Sequence, residues 1–166
     1  MLEKTIQVIE QDDDPTPMIS LHDLIDERLA SDLSAAKDDK QRLALCRKLM
    51  TQWPDDYFYQ AACLRKVVSI QEAKALKDLI PALSSPNEIL HESAVSLAAE
   101  LPKVGTDHWI GQLAQAKGRE LIGVLDVLAR RKDPKALQSA RNFLEHEDPL
   151  VREAAIRAVA AIDETP

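Results

Sequence analysis

His91 and Glu92 are neighbouring side chains whose types could bind a metal ion, since imidazole and carboxylate groups are both common ligands. A transition metal such as iron takes about six ligands, so several such pairs have to converge on one point. The other His-Glu pair of the chain, His146-Glu147, falls in a turn rather than on a helix. We therefore predict no metal site.

The remaining reactive side chains do not form a catalytic arrangement. Cys46 and Cys63 fall on apolar faces of predicted helices, which favours buried thiols over nucleophiles. The sequence contains no serine elbow, phosphate-binding loop or paired-carboxylate signature. The basic residues at 130–132 and Lys135 could bind an anion, but positive charge is favourable at any helix C-terminus. We predict no catalytic residue, no cofactor and a non-enzymatic protein.

An apolar pattern that repeats about every thirty residues indicates which elements position these side chains. Its three clearest copies are Leu90, Ala94, Leu97, Ala98 and Leu101, then Leu121, Leu125, Leu128, Ala129 and Lys132, then Val151, Ala155, Ala158, Val159 and Ile162. Only Lys132 breaks the pattern. A period of this length is typical of stacked helix pairs, in which each unit buries its apolar face against its neighbours.

Composition and charge narrow the function further. The chain is 45% hydrophobic and only 4% aromatic, which favours packed helices over sheets. Of its net charge of −7, residues 1–40 carry the whole excess, with 11 acidic and 4 basic side chains. The neutral remainder exerts no general pull on nucleic acid. There is no 18-residue apolar run and no basic, apolar leader, so we expect a cytoplasmic protein without a membrane partner.

Residues 1–17 differ from the rest of the chain. Leu2, Ile6 and Ile9 could share one face of a short helix, but a proline-containing acidic run follows at 12–17. We predict a mobile acidic tail over 1–17 and a single domain over 18–166. The alternative for the tail is a short apolar motif that docks on a protein or on this domain.

Capping signals locate several helix starts. The run Ser85-Pro86-Asn87-Glu88 predicts a capping box with proline at the first helical position, and Asp133-Pro134 and Asp148-Pro149 predict two further starts. Together with the periodicity, these signals predict helix pairs at about 41–70, 72–101, 106–131 and 134–162, behind one additional N-terminal helix.

The segments 136–144 and 147–159 resemble a short HEAT-like repeat of the kind found in phycobilisome-lyase-type proteins. Asp148 can cap the second helix, Pro149 can form its first turn, and small alanines allow close helix packing. The resemblance implies an all-α fold, an α-solenoid (α-α superhelix) of about four helix pairs plus an N-terminal helix, and a habit of binding proteins. It also implies that Arg152 bonds groups in the turn between helices, a structural role.

Deoxyhypusine hydroxylase is a second HEAT-like family that the chain is similar to. Its members use His-Glu pairs at the starts of inner helices to hold two irons, and His91-Glu92 lies at such a start. The sister positions in the other repeats are Gln60, Ile122 and Arg152, which do not complete the ligand set. We therefore set this metal-dependent hydroxylase aside.

The concave face of such an array is normally lined by the second helix of each pair, beside the apolar pattern. That selects a mixed-charge set of candidate protein-binding residues: Arg65, Glu92, Asp126, Arg130, Glu153 and Arg157. Trp109 occupies a slot that is Asp78 one repeat earlier, so we predict that it is partly exposed and anchors a partner. The alternative is a tryptophan that fills space left by small neighbours, since all four glycines lie within residues 105–123.

Aromatic side chains concentrate at one other place. Residues 53–59 hold four of the six aromatics, and we predict that they seal the junction between the N-terminal helices and the array while one or two rings reach a groove.

Three function classes follow from these features. The first is a non-catalytic adaptor or scaffold that binds a protein or peptide partner. The second is a lyase-type enzyme subunit that acts only beside a partner, and the third, which the charge disfavours, binds nucleic acid. The C-terminal segment after Ile162 offers no polar capping helix, so we also expect a homodimer through this end.

Overall fold

Short turns separate the helices of this chain, and no strand occurs within residues 20–101 and 103–164, which the computed structural model describes. The tail predicted at 1–17 lies outside these residues. The α-helices, numbered in chain order, are α1 (Leu21–Leu33), α2 (Asp39–Gln52), α3 (Tyr57–Gln71), α4 (Leu76–Leu83), α5 (Glu88–Glu100), α6 (Thr106–Leu113), α7 (Gly118–Arg131), α8 (Leu137–Arg141) and α9 (Pro149–Asp163). Single 3₁₀ turns, Glu72–Ala75 and Pro134–Ala136, lead into α4 and α8.

The helices form pairs that stack in chain order. The pairs are α2/α3, α4/α5, α6/α7 and α8/α9, and the second helices α3, α5, α7 and α9 pack side by side in one row. Helix α1 extends this row by packing on α3. The first helices each lie against the second helix of their own pair. The fold is therefore the predicted all-α solenoid of four helix pairs with one additional N-terminal helix.

The repeat pattern is confirmed as the core of the stack. Its positions in α5, α7 and α9 are buried or partly buried, apart from Lys132. Lys132 is the C-cap of α7 and adopts a left-handed backbone with φ of 51°. The apolar pattern is interrupted there because the helix ends at this residue.

The repeats have a slightly different spacing from the one that the apolar pattern predicts. Their second helices begin after N-cap residues at steps of 31, 30 and 31, namely Asp56, Asn87, Lys117 and Asp148. The apolar pattern places equivalent residues of α3, α5, α7 and α9 at steps of 31, 31 and 30. Its alignment of α7 with the other second helices is therefore wrong by one residue. The structural equivalent of His91 is therefore Leu121 and not Ile122.

One predicted helix start is two residues early. Helix α5 begins at Glu88, and its N-cap is Asn87 rather than Ser85. The Asn87 side-chain oxygen accepts from the Ile89 N–H at 2.9 Å, while the Ser85 hydroxyl accepts from the Asn87 N–H at 3.2 Å. The two residues therefore act in succession, with the serine ordering the turn and the asparagine capping the helix. The predicted starts at Asp133-Pro134 and Asp148-Pro149 are confirmed.

The fourth residue after the N-cap ties a second helix to the turn of its own pair. The Gln60 side-chain amide donates to the Trp53 carbonyl at 3.1 Å. The His91 imidazole contacts the Leu83 carbonyl at 2.8 Å. Leu121, the equivalent residue of α7, makes only apolar contacts because its side chain has no donor.

Arg152 makes the corresponding contacts in α9. Its guanidinium donates to the His146 carbonyl at 2.7 Å and to the Glu147 carbonyl at 3.0 Å. The predicted structural role of this arginine is confirmed.

The aromatic residues seal the N-terminal junction as predicted. The Arg28 guanidinium of α1 lies over the Trp53 ring at 5.7 Å and over the Tyr59 ring at 4.7 Å. The Tyr59 hydroxyl donates to Asp32, which ties α3 to α1. Trp53 is 43% exposed and remains accessible to solvent.

Cys46 and Cys63 are fully buried free thiols, which confirms the prediction for both. A hydrogen bond with Cys46 and burial raise the pKa of the Cys63 thiol, so the reactive thiolate is disfavoured there.

Candidate functional site

A groove of about 290 Å³ crosses the row of second helices between α5, α7 and α9. Its charged lining consists of Glu88, Glu92, Arg119, Asp126, Glu153 and Arg157. Ile122 and Leu150 add apolar surface, and His91 lies at its base. We call this the α5–α9 groove. The structure thus brings four of the predicted binding residues, Glu92, Asp126, Glu153 and Arg157, to one place.

Arg157 of α9 makes polar contacts with α7 and within its own helix. The Arg157 guanidinium donates to Asp126 at 2.9 Å and to Glu153 at 3.0 Å. The Asp126 side chain is only 16% exposed, whereas those of Glu153 and Arg157 are about half exposed or more. Arg157 is therefore held between a buried and an exposed carboxylate, which fixes its direction.

Two further ion pairs join α7 to α5. Arg119 donates to Glu88 at 2.6 Å and also to the Ser85 carbonyl. Arg130 donates to Glu92. Helices α5 and α7, and helices α7 and α9, are thus linked by an arginine on one helix and a carboxylate on the other. Because these residues are exposed, the pairs orient the side chains more than they stabilise the fold.

His91 has a defined proton arrangement beneath the groove. It is 2% exposed, and its Nδ1 must carry the hydrogen because the Leu83 carbonyl can only accept. The other ring nitrogen, Nε2, therefore faces the Asp126 carboxylate, 3.7 Å away. The Asp126 carboxylate raises the pKa of His91, and burial opposes this only in part. In neutral His91, the Nε2 lone pair and the Asp126 carboxylate are two acceptors that face each other. Protonation of Nε2 makes the ring a donor to this carboxylate.

Arg65 and Arg130 lie outside the α5–α9 groove. Arg65 belongs to a second cavity of about 280 Å³ between α1 and α3, where it pairs with Asp26 at 2.8 Å. Arg130 lines an adjoining cavity of about 410 Å³ together with Ala161. The predicted strip of charges is therefore divided, with Arg65 separated from the rest.

The predicted partial exposure of Trp109 is wrong. The residue is 0% exposed, lies on the first helix α6 and belongs to the hydrophobic core. Its indole packs edge-on against the His108 ring with centroids 5.2 Å apart. A tryptophan with no exposed surface cannot anchor a partner, and the alternative, a side chain that fills space, is confirmed.

Sequence reasoning did not select five of the residues that line the groove: Glu88, His91, Arg119, Ile122 and Leu150. His91 entered it only as a possible metal ligand, and Arg119 and Leu150 were not singled out. Arg119 could have been found from its spacing of 31 residues from Glu88, the same spacing that separates Asp126 from Arg157. Leu150 directly follows the proline that starts α9, so no periodic signal marks its exposure.

Neither a metal centre nor a membrane span is visible in residues 20–101 and 103–164. No three His, Cys, Asp or Glu side chains are placed to hold a metal ion together in this part of the chain. None of its helices is both long and apolar enough to cross a bilayer.

Comparison with known proteins finds a family match for the last two helix pairs. Residues 106–166 match the family described as HEAT repeats. This match spans α6 to α9 and so includes two of the three helices that border the α5–α9 groove. No curated protein and no solved structure is significantly similar to the chain. The finer resemblance, to repeats of the phycobilisome-lyase type, stays a prediction.

Proposed function

Because the chain is a HEAT-like repeat protein, we propose that it is a non-catalytic adaptor that binds a protein or peptide partner in the α5–α9 groove. HEAT repeats commonly mediate protein–protein interaction. The proposal adds the place and the chemistry of the contact, and it assigns the interaction to the cytoplasm, the compartment that the sequence predicts.

The exposure of Leu150 is the observation that carries this proposal. Leu150 is a large aliphatic side chain that is 58% exposed inside a groove otherwise rich in charge. Ile122 lies in the same groove and is partly buried. An apolar centre with a polar rim is the usual anatomy of a protein-binding surface, whose few buried anchors supply most of the affinity.

The charges around this apolar centre suit a polypeptide. Carboxylates and guanidinium groups alternate across the groove, so a partner with both signs of charge can pair with them. A nucleic acid backbone would call for basic residues almost alone. The rim side chains are already held in position by Arg157 and Arg119, which lowers the entropy cost of binding.

The same ion pairs argue for binding without catalysis. The four groove carboxylates each contact an arginine: Glu88, Glu92, Asp126 and Glu153. A general base needs an oxygen or nitrogen directed at a substrate proton, whereas these carboxylates are directed at arginine side chains.

Affinity capture with quantified recovery from lysates of the source cells would test the proposal. Leu150→Asp and Glu153→Arg should each reduce recovery of a specifically captured partner. Glu145→Arg is the control matched to Glu153→Arg, because Glu145 is exposed in the turn before α9, does not line the groove, and its replacement changes the net charge by the same amount. Equal recovery with all three variants would rule out the α5–α9 groove as the binding site.

A further inference from the structure

Ile156 is a large aliphatic residue that lies exposed on α9, outside the α5–α9 groove. It is 58% exposed, the same fraction as Leu150. Within the described residues these are the two most exposed large hydrophobic side chains. The groove accounts for Leu150 but not for Ile156.

The residues equivalent to Ile156 in the other repeats differ from it in exposure. Ile156 is the eighth residue after its N-cap, and its equivalents in the earlier second helices are Leu64, Val95 and Leu125. All four residues are aliphatic. The three earlier ones are 0% exposed, so this position is buried in each repeat that another repeat follows.

In α7, the contacts of Gly123 show which way the eighth residue after the N-cap, Leu125, points. Gly123 faces the preceding pair, since a Cβ there would lie 2.9 Å from the Leu83 Cβ and 3.3 Å from the His91 ring. Leu125 lies two residues on, about 200° around the helix, and so points away from the preceding pair and toward α9. By the same register, Ile156 points away from α7, where no described residue covers it.

We propose that this face of α9 binds the same face of a second copy of the chain, about a two-fold axis. The proposal continues an interface that already exists within the molecule, because Ile156 would be covered as its three equivalents are. Ile156 does not line the α5–α9 groove, and it lies about a third of a turn from Leu150 around the helix.

The opposite end of the row makes the two-fold arrangement preferable to head-to-tail stacking. Among residues 20–101 and 103–164 that end is formed by α1, whose exposed positions are mainly charged: Asp23, Asp26, Glu27, Arg28 and Asp32. Among its described residues, Leu21 at the first turn is the one exposed large hydrophobic side chain, so this mostly charged helix offers little apolar surface for Ile156. Like faces therefore pair, and the assembly closes as a dimer instead of growing into a filament.

The charges near Ile156 are self-complementary. Asp163 lies two helical turns after Ile156 on the same side of α9, and Arg141 of α8 approaches it to 3.9 Å. Both side chains are well exposed, at 64% and 44%. A two-fold axis can place Arg141 of one copy beside Asp163 of the other, so the two faces attract rather than repel.

Sedimentation analysis of the 166-residue chain over a range of concentrations would test the dimer. We expect the average mass to rise from that of one chain toward that of two. Ile156→Asp should hold the protein at the mass of one chain, while Leu150→Asp, equally exposed on the same helix, should dimerise as the wild type does. A wild type that stays monomeric throughout, or an Ile156→Asp variant that still dimerises, would overturn the proposal.

A cross-linking measurement fixes the arrangement independently. Ile156→Cys should form a covalent dimer under mild oxidation, because a two-fold axis brings the two introduced thiols together while Cys46 and Cys63 are buried. A non-covalent dimer in which Ile156→Cys does not cross-link would contradict the two-fold contact. Circular dichroism of each variant confirms that it is folded. Partner capture by Leu150→Asp tests the groove separately, so either proposal can fail alone.

Discussion

The Nε2 atom of His91 on α5 faces the carboxylate of Asp126 on α7 at 3.7 Å, and the other oxygen of the same carboxylate forms the salt bridge with Arg157 of α9. Because the Leu83 carbonyl fixes the hydrogen on Nδ1, a neutral His91 would turn a lone pair toward the carboxylate. A protonated His91 instead presents a donor. The protonation state of one buried ring is therefore coupled to the charged rim of the groove.

His91→Gln should remove a pH dependence of stability. Since the pKa of His91 is raised above 6.5 in the folded protein, its charge stabilises the fold fully below about pH 6.5, and this stabilisation is lost as the pH rises through the raised pKa. Glutamine does not titrate, and Gln60 already makes the equivalent turn contact in α3. The free energy of unfolding in urea should therefore fall with rising pH more steeply for the wild type than for the variant.

A difference between the two proteins that stays constant from about pH 6 to pH 8.5 would contradict this coupling. The His91 ring can also be followed directly by NMR. Its titration should move toward lower pH in Asp126→Asn, because that variant loses the carboxylate that favours the charged ring.

Periodicity predicted the helix pairs correctly because the packing of repeats demands apolar residues at fixed positions. It could not detect the one-residue shift in α7. Lys117, the residue before α7, has no capping side chain, and the shift moves one aliphatic residue onto another, Ile122 onto Leu121. The Ser85 start failed for a similar reason, since both Ser85 and Asn87 are residues that cap helices.

For the candidate site, residue spacing predicted the charged residues that lie on consecutive second helices. Asp126 and Arg157 are 31 residues apart and make direct contact. Arg65 was selected in the same way, but its neighbour is α1, so it pairs with Asp26, 39 residues earlier and outside the groove. The burial of Trp109 could not be predicted from Asp78, the residue one repeat earlier. Asp78 forms a salt bridge with Arg47, whereas a tryptophan cannot form an ion pair and packs into the core instead.

Two alanine substitutions at glycine should change stability in opposite directions. Gly123→Ala would place a Cβ 2.9 Å from the Leu83 Cβ and 3.1 Å from its carbonyl oxygen, so α7 has to move away from α4. We expect a loss of roughly 1–3 kcal/mol in the free energy of unfolding. Gly111 is exposed within α6 with nothing near its Cβ position, so Gly111→Ala should gain roughly 0.5–1 kcal/mol.

Chemical denaturation of the two glycine variants beside the wild type is the measurement. A Gly123→Ala protein as stable as Gly111→Ala would show that α4 and α7 are too far apart for a Cβ at residue 123 to clash with Leu83.

Arg152→Ala should destabilise the α8/α9 pair by roughly 1–3 kcal/mol, since it leaves the His146 and Glu147 carbonyls without their charged donor. Arg152→Lys should recover only part of the loss, because a single ammonium cannot reproduce the planar fork of a guanidinium. The control is Arg42→Ala, which removes an exposed ion pair with Asp39. Thermal unfolding should place the control within a few tenths of a kcal/mol of the wild type, and equal losses from Arg152→Ala and Arg42→Ala would refute the turn contact.

Trp109 should emit as a tryptophan shielded from water. Trp109 is 0% exposed and Trp53 is 43% exposed, so iodide should quench Trp53 and spare Trp109. Trp53→Phe therefore leaves a blue-shifted, poorly quenched emission, and Trp109→Phe leaves a red-shifted, quenched one. Trp109→Phe should also cost less stability than the loss of ring volume alone suggests, because the indole N–H is buried without a hydrogen-bond partner. Trp109→Ala should cost about 3–5 kcal/mol. Strong iodide quenching of the Trp53→Phe protein would mean that Trp109 reaches solvent and would restore it as a candidate anchor.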